Sequence, residues 1–272
     1  MSKISLLSKI VTLYLLLICS PIHANQILIG GTGAALGTIR HLASEYQKIN
    51  PNIAIKVLPS LGSGGGIRAL AKDKIDIALI GRKMKANERQ LGLKQLNYVK
   101  TPLVFVIDSR STINSITTHE LQSYYNGKSF HWPNGERCRP IMRPMHDSET
   151  MALKKQLPEL AAAIDKVLNT NGINITQTAQ QNAEAINNIP GSFGYTTLAL
   201  LLSENRPLKA LNFNNIEPTI SNLMEGIYPL YKNMELVIKP EKYKERDDFI
   251  SFIFSEPGRR IIEKYGNHFV TK

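Results

Sequence analysis

One rhythm constrains this chain more than any other: a short apolar run, a glycine-rich turn, then a helix with a single apolar stripe, twice over. Gln26-Ile27-Leu28-Ile29 runs into Gly30-Gly31-Thr32-Gly33-Ala34-Ala35-Leu36-Gly37. From about Thr38 the residues Ile39, Leu42, Ala43, Tyr46 and Ile49 recur at helical spacing, and Asn50-Pro51-Asn52 stops the helix. Ile53–Leu58 alternates as a strand, Gly62-Ser63-Gly64-Gly65-Gly66 makes the next turn, and a short helix carries Ile67, Leu70 and Ala71. Ile75–Ile80 is a third strand. Strand–helix–strand–helix–strand of this length implies an α/β fold with a parallel sheet and right-handed crossovers. Ligands in such sheets sit beyond the carboxyl ends of the strands. Thr32, Ser63 and Gly81-Arg82 each follow one.

A third segment, Asp147-Ser148-Glu149-Thr150, reads like the two glycine-rich turns, with Ser148 as the expected N-cap of a helix through Met151, Leu153 and Leu157. Each of the three places hydroxyls and unpaired backbone N–H groups at a helix N-terminus, where the dipole favours an anion. Alone, each is equally a tight turn or an ordinary cap. Gly30–Gly37 misses the dinucleotide fingerprint by one residue, and Gly62–Gly66 lacks the Lys-Ser/Thr of a nucleotide-binding loop. Together they point to a grip on a small oxyanion.

The first residues read as an address. Lys3 and Lys9 precede an uncharged stretch, Ile10–Ile18, too short for a spanning helix, and Pro21-Ile22-His23-Ala24 ends in a small residue. Residues 1–24 are therefore expected to be a cleaved signal peptide and the mature protein periplasmic. Cys19 raises a lipidation reading, but Ile18 stands where such a site wants a small residue. With Cys19 removed, Cys138 is the sole cysteine, so the core must hold without a disulfide. About 250 residues suffice for one large domain or two ordinary ones.

The formal net charge is +11, and losing Lys3 and Lys9 leaves +9. The tightest basic cluster, Arg82-Lys83-Met84-Lys85, has no aromatic neighbours to stack on bases, so a nucleic-acid role is not expected. His146-Asp147 is the one hint of acid–base or metal chemistry; no further His or Cys stands at ligand spacing, and neither a metal nor a cofactor is expected. Further on, Leu103–Ile107 is an expected strand, Thr117–Asn126 a helix capped by Thr117 or Thr118, and Ile141-Met142-Arg143-Pro144 a short strand or turn. Pro190–Tyr195 is a turn and strand, Thr197–Leu202 helical, and Glu235–Ile238 extended. The ends of the chain are expected to form one lobe (25–103 with 229–272) and the middle another (104–228). Extended crossings near Leu103 and Tyr228 would join them, with the ligand cleft between.

The order of these motifs resembles the periplasmic phosphate-binding proteins of ABC transporters. So do Pro190-Gly191-Ser192-Phe193-Gly194-Tyr195, similar to the family's Pro-Gly-Ala-Ile-Gly-Tyr, and the closing pattern Phe249–Gly258 with Ile261-Ile262 and Tyr265-Gly266. The resemblance covers nearly all of the mature chain. It implies a two-lobed periplasmic-binding-protein fold of type II, each lobe a mostly parallel sheet flanked by helices. It also implies a monomer that hands its ligand to a membrane permease, and binding rather than catalysis. Carried over, it makes Thr32, Gly33, Ser63, Gly64, Ser148 and Thr150 ligand-contacting positions and Arg143 its charged residue; Arg82, beside a candidate turn after the third strand, is the second charged candidate. Two departures stand out: Gly81-Arg82 replaces the turn where well-known members place an aspartate, and Glu149 stands where glycine is usual. These leave phosphate, another oxyanion or a small organic acid as candidate cargoes. Two other classes remain: a sensor or surface-interaction protein on the same fold, and a secreted phosphoester hydrolase with Ser63 or Ser148 as nucleophile.

Overall fold

The structure, a computed structural model, describes residues 25–270, so the expected leader lies outside the described residues. β1 (Asn25–Gly31), α1 (Gly33–Ile49), β2 (Ile53–Val57), α2 (Gly62–Ala71) and β3 (Ile77–Ile80) follow one another as the rhythm predicts. β1 pairs in parallel with both β2 and β3. Ile27, Ile29, Ile77 and Leu79 are fully buried, because the sheet is covered on both faces.

Both helices begin earlier than the sequence indicates. α1 starts at Gly33 rather than near Thr38, and the glycines of Gly62–Gly66 form the opening turns of α2 instead of a loop before it. The reason is close packing of backbone on backbone. A Cβ on Gly66 would stand 2.9 Å from the Cα of Gly31, so α2 lies on β1 at a distance only glycine permits. Gly31 itself has φ +136°, and a side chain there would strike the Leu79 carbonyl.

After α3 (Ala86–Arg89) comes β4 (Lys94–Asp108), fifteen residues long where only Leu103–Ile107 was expected. Next are β5 (Ser115–Ile116), α4 (Thr118–Tyr125), β6 (Arg139–Met142), α5 (Ser148–Gln156), a 3-10 turn at Pro158–Leu160, and α6 (Ala161–Leu168). β7 (Asn174–Ile175), α7 (Ala179–Asn188), β8 (Ser192–Thr197), α8 (Leu198–Ser203), β9 (Leu208–Ala210), β10 (Asn212–Phe213) and α9 (Ile220–Met224) complete the middle. β11 (Tyr231–Ile238), α10 (Lys244–Phe254), α11 (Glu256–Lys264) and β12 (His268–Phe269) close the chain. Thr117, not Thr118, caps α4, accepting from the Glu120 N–H while Glu120 reaches back.

The main sheet runs β2-β1-β3-β11-β4-β8-β6-β7, with β9 and β12 also on β4. Its two flanks, β2-β1-β3 and β8-β6-β7, are parallel, while β11 and β4 run antiparallel to their neighbours. The first half of β4 pairs with β11 and β12, and the second half with β8 and β9. The buried side chains divide in the same way. Ile27, Leu36, Tyr98, Met234, Phe249 and Ile262 pack in one cluster, and Phe105, Tyr125, Leu153, Phe193, Phe213 and Tyr228 in another. Beside β4 runs a second crossing: Tyr228 Oη donates to the Leu103 carbonyl at 2.8 Å, and the Leu103 N–H donates to the Leu230 carbonyl at 3.1 Å.

Candidate functional site

A cavity of about 530 Å³ opens between residues from the two sides of this division. Three helix N-termini line it. Gly62, Ser63, Gly64 and Gly65 are the first turn of α2, Asp147 and Ser148 the start of α5, and Thr178 the N-cap of α7. Each leaves N–H groups without intrahelical acceptors at the positive end of its dipole. Arg68, Arg82 and Lys85 add positive charge, and His146 lies at the wall.

Four of the eight sequence candidates line this cavity: Ser63, Gly64, Arg82 and Ser148. Ser63 is 7 % exposed, and its Oγ accepts a 3.0 Å bond from the Gly81 N–H, tying the start of α2 to the end of β3. That bond uses a lone pair and leaves the hydroxyl proton free to donate. Arg82 carries a two-toothed bond to the Glu88 carboxylate, at 2.6 and 2.7 Å. The guanidinium holds the Glu88 carboxyl below its ordinary range.

Ser148 is not the cap of α5. Asp147 is, accepting from the Glu149 N–H at 2.9 Å while its other oxygen accepts from Arg143 at 2.7 Å. An ionised carboxylate fixed by an arginine outcompetes a neutral hydroxyl for this position. Ser148, one residue on, makes no side-chain hydrogen bond among the described residues and so keeps its hydroxyl available.

The other four candidates stand elsewhere. Thr32 is buried at the start of α1, its N–H donating to the Leu79 carbonyl. Gly33 is covered by Gln180, whose amide donates to the Gly33 carbonyl at 3.0 Å. Thr150 is fully buried, with its hydroxyl 2.7 Å from the Tyr195 hydroxyl and 3.3 Å from the Arg143 carbonyl. Arg143 is 4 % exposed and held by Asp147 and the Thr176 carbonyl.

Behind this wall Arg143 and Glu149 meet Lys232 in a buried charge cluster. The Arg143 Nε is 3.6 Å from a Glu149 carboxylate oxygen. Lys232, on β11, is 1 % exposed. A Cβ on Gly81 would stand 3.1 Å from both the Lys232 Nζ and the Ser148 Oγ, which places the amine beside the start of α5. Burial and the neighbouring Asp147 push the Glu149 carboxyl upward; burial draws the Lys232 amine downward despite Glu149 and Asp147. The sequence singled out Arg143 and Glu149 but not Lys232, which shares its strand with Asn233 and Glu235 and reads there as an ordinary polar position. Among the described residues no group of three His, Cys, Asp or Glu could hold a metal ion, and no helix is long and apolar enough to cross a membrane.

Two sets of parallel strands, joined by two crossings with a cationic cleft lined by helix N-termini between them, define a solute-binding architecture of the periplasmic type. The comparison with known families agrees: residues 21–257 match the PBP superfamily domain, and the chain belongs to that superfamily. It is 25% identical over 245 residues to the protein SphX of Synechococcus elongatus, covering 80% of this chain and 70% of that one. It is 21% identical over 248 residues to the phosphate-binding protein PstS of Staphylococcus haemolyticus, covering 84% and 76%. Among solved structures it resembles a putative phosphate ABC transporter substrate-binding protein with bound phosphate from Clostridium perfringens. There the TM-score is 0.77 and the identity 19%, over 91% of this chain and 100% of that one. The type II fold and the family resemblance read from the sequence both stand.

Proposed function

We propose that this protein is a periplasmic solute-binding protein that captures an inorganic oxyanion, phosphate first among them, for an ABC importer. One observation carries the reading: the N-termini of α2, α5 and α7, drawn from both sides of the cleft, line the same cavity with the hydroxyls of Ser63, Ser148 and Thr178. Such a set replaces an anion's hydration with fixed donors. The names of PstS and of the phosphate-bound structure support phosphate as the cargo. The two units, 25–103 with 229–272 and 104–228, act as lobes that close on the ligand about β4 and the Tyr228–Tyr231 crossing. Closure reduces a cavity that is larger than a lone oxyanion needs.

The mechanism is binding and release rather than bond-breaking, by a monomer that docks on an inner-membrane permease after residues 1–24 are removed. The names of the relatives, which describe binding, support this over hydrolysis. The test is a melting series of the processed chain with phosphate, sulfate, molybdate, a phosphonate and a carboxylic acid. A ligand specific to the folded state stabilises it by about 2.7 kcal/mol at a hundred times its dissociation constant. A shift with phosphate is expected, and no shift with any anion refutes the reading.

A further inference from the structure

Four polar atoms beside the cleft are buried without a hydrogen-bond partner: the Arg143 Nε, both carboxylate oxygens of Glu149 and the Lys232 Nζ. Their residues are 4 %, 2 % and 1 % exposed and come from three places: the turn after β6, the start of α5, and β11. They lie behind the wall of the ligand cavity, beside its lining residues Asp147 and Ser148. Ser148, next to Glu149, lines that cavity and also a second one of about 300 Å³, which Lys232, Gly81 and Arg82 line from the other side. Buried polar atoms without a hydrogen-bond partner are rare in folded proteins, and each calls for an explanation. The Arg143 Nε and the Lys232 Nζ lack hydrogen-bond acceptors, which an oxyanion supplies. Glu149 lacks donors, and it is the negative charge that fills their place in the ligand's absence.

The geometry points to Glu149 as a tethered counter-anion for Arg143 and Lys232, one that the bound oxyanion replaces, so that ligand capture takes up a proton at the Glu149 carboxyl. The inference rests on the oxyanion reading of the cleft. With Glu149 ionised, the two cations are balanced by Asp147 and Glu149, and the wall offers a further anion no net attraction. With Glu149 protonated, the same wall carries one positive charge, and the carboxyl gains a hydrogen-bond donor. An arriving anion favours that form, because it adds negative charge beside an already desolvated carboxylate. The groups facing Glu149 are Arg143 and Asp147 from the β6–α5 turn, Lys232 from β11, and Tyr195 from β8, with Arg82 beyond Lys232. Burial already raises the carboxyl, so the proton comes from solvent near neutrality.

The test is calorimetric titration of the processed wild type and Glu149→Gln with inorganic phosphate, in buffers of different protonation enthalpy and over a range of pH. Phosphate's own ionisation is common to both proteins and cancels in the difference. The wild type is expected to take up more protons than the variant. Its affinity should fall relative to the variant by up to about tenfold per pH unit above the carboxyl's midpoint. Equal proton uptake and parallel pH profiles overturn the inference while leaving phosphate binding intact. No phosphate binding by either protein overturns phosphate as the cargo and this inference with it. A check that needs no variant is the carbon-13 resonance of the Glu149 carboxyl in the wild type. Phosphate should move it toward the protonated position, and an unmoved resonance refutes the coupling.

Discussion

Replacing Ser63 with alanine separates what the hydroxyl does for the fold from what it does for the ligand. Ser63 Oγ is the acceptor for the buried Gly81 N–H at 3.0 Å. Alanine leaves that donor unpaired, at a cost of about 1–3 kcal/mol. With ligand bound, the variant also lacks a donor to a charged oxygen, a bond worth about 1.5–3 kcal/mol. At about 1.4 kcal/mol per decade, this corresponds to a roughly ten- to hundredfold rise in the phosphate Kd. Chemical denaturation measures the first effect and calorimetric titration the second, on the same preparation. Both should appear. A stability loss with unchanged Kd would show that Ser63 only braces Gly81, and would remove it from the ligand's shell. Unchanged stability would refute the Gly81 bond itself, and with it the argument for which way the hydroxyl proton points.

Glu88→Ala should strengthen phosphate binding several-fold in titration, because it frees the Arg82 fork, now held at 2.6 and 2.7 Å, to face the cavity. Gly66→Ala sets a Cβ 2.9 Å from the Gly31 Cα, backbone against backbone, and should lower stability by about 1–3 kcal/mol or more in denaturant melts. Glu149 binds its proton more tightly folded than unfolded. Its contribution is therefore fully present below the ordinary carboxylate range and lost as pH rises through its elevated folded value. The melting temperature of the ligand-free wild type, compared with Glu149→Gln, should fall as pH is raised from acid toward and past neutrality. A difference that stays flat or rises would contradict the burial of an ionised Glu149.

The first third of the fold was legible because its signals are local. Ile27, Ile29, Ile77 and Leu79 need covering on both faces, and one stripe from Ile39 to Tyr46 needs one sheet to lie on. Thr117 and Glu120 likewise announce the start of α4 within four residues. The first half of β4 was missed because Lys94, Asn97 and Lys100 interrupt its apolar positions, and what makes it a strand is β11, arriving some 130 residues later. The candidate site divides along the same line. Ser63, Gly64 and Ser148 follow from glycine and hydroxyl chemistry at helix starts. Thr150 and Arg143 have the right residue types, but they are tied to Tyr195, Asp147 and Thr176. Those partners are chosen by topology. Lys232 reads as a surface lysine until the helix after β6 is packed over it.

The distribution of charge explains how a chain with a formal net charge of +11 can bind anions selectively. Its deepest cations near the cleft are all engaged: Arg82 by Glu88, and Arg143 by Asp147, with Glu149 and Lys232 beside it. The cations without an ion pair among the described residues, Arg68 and Lys85, are exposed and stand on the cavity wall toward solvent. Exposed charges act at a distance and are screened by salt, so they draw any anion toward the cleft without choosing among anions. The choice falls to the groups further in, where N–H dipoles and hydroxyls have fixed directions and an unmatched donor is costly. Pairing the inner cations with protein carboxylates keeps the empty cleft stable. It also makes the ligand's charge and protonation, rather than its mere negativity, the property that decides whether it displaces what is already there.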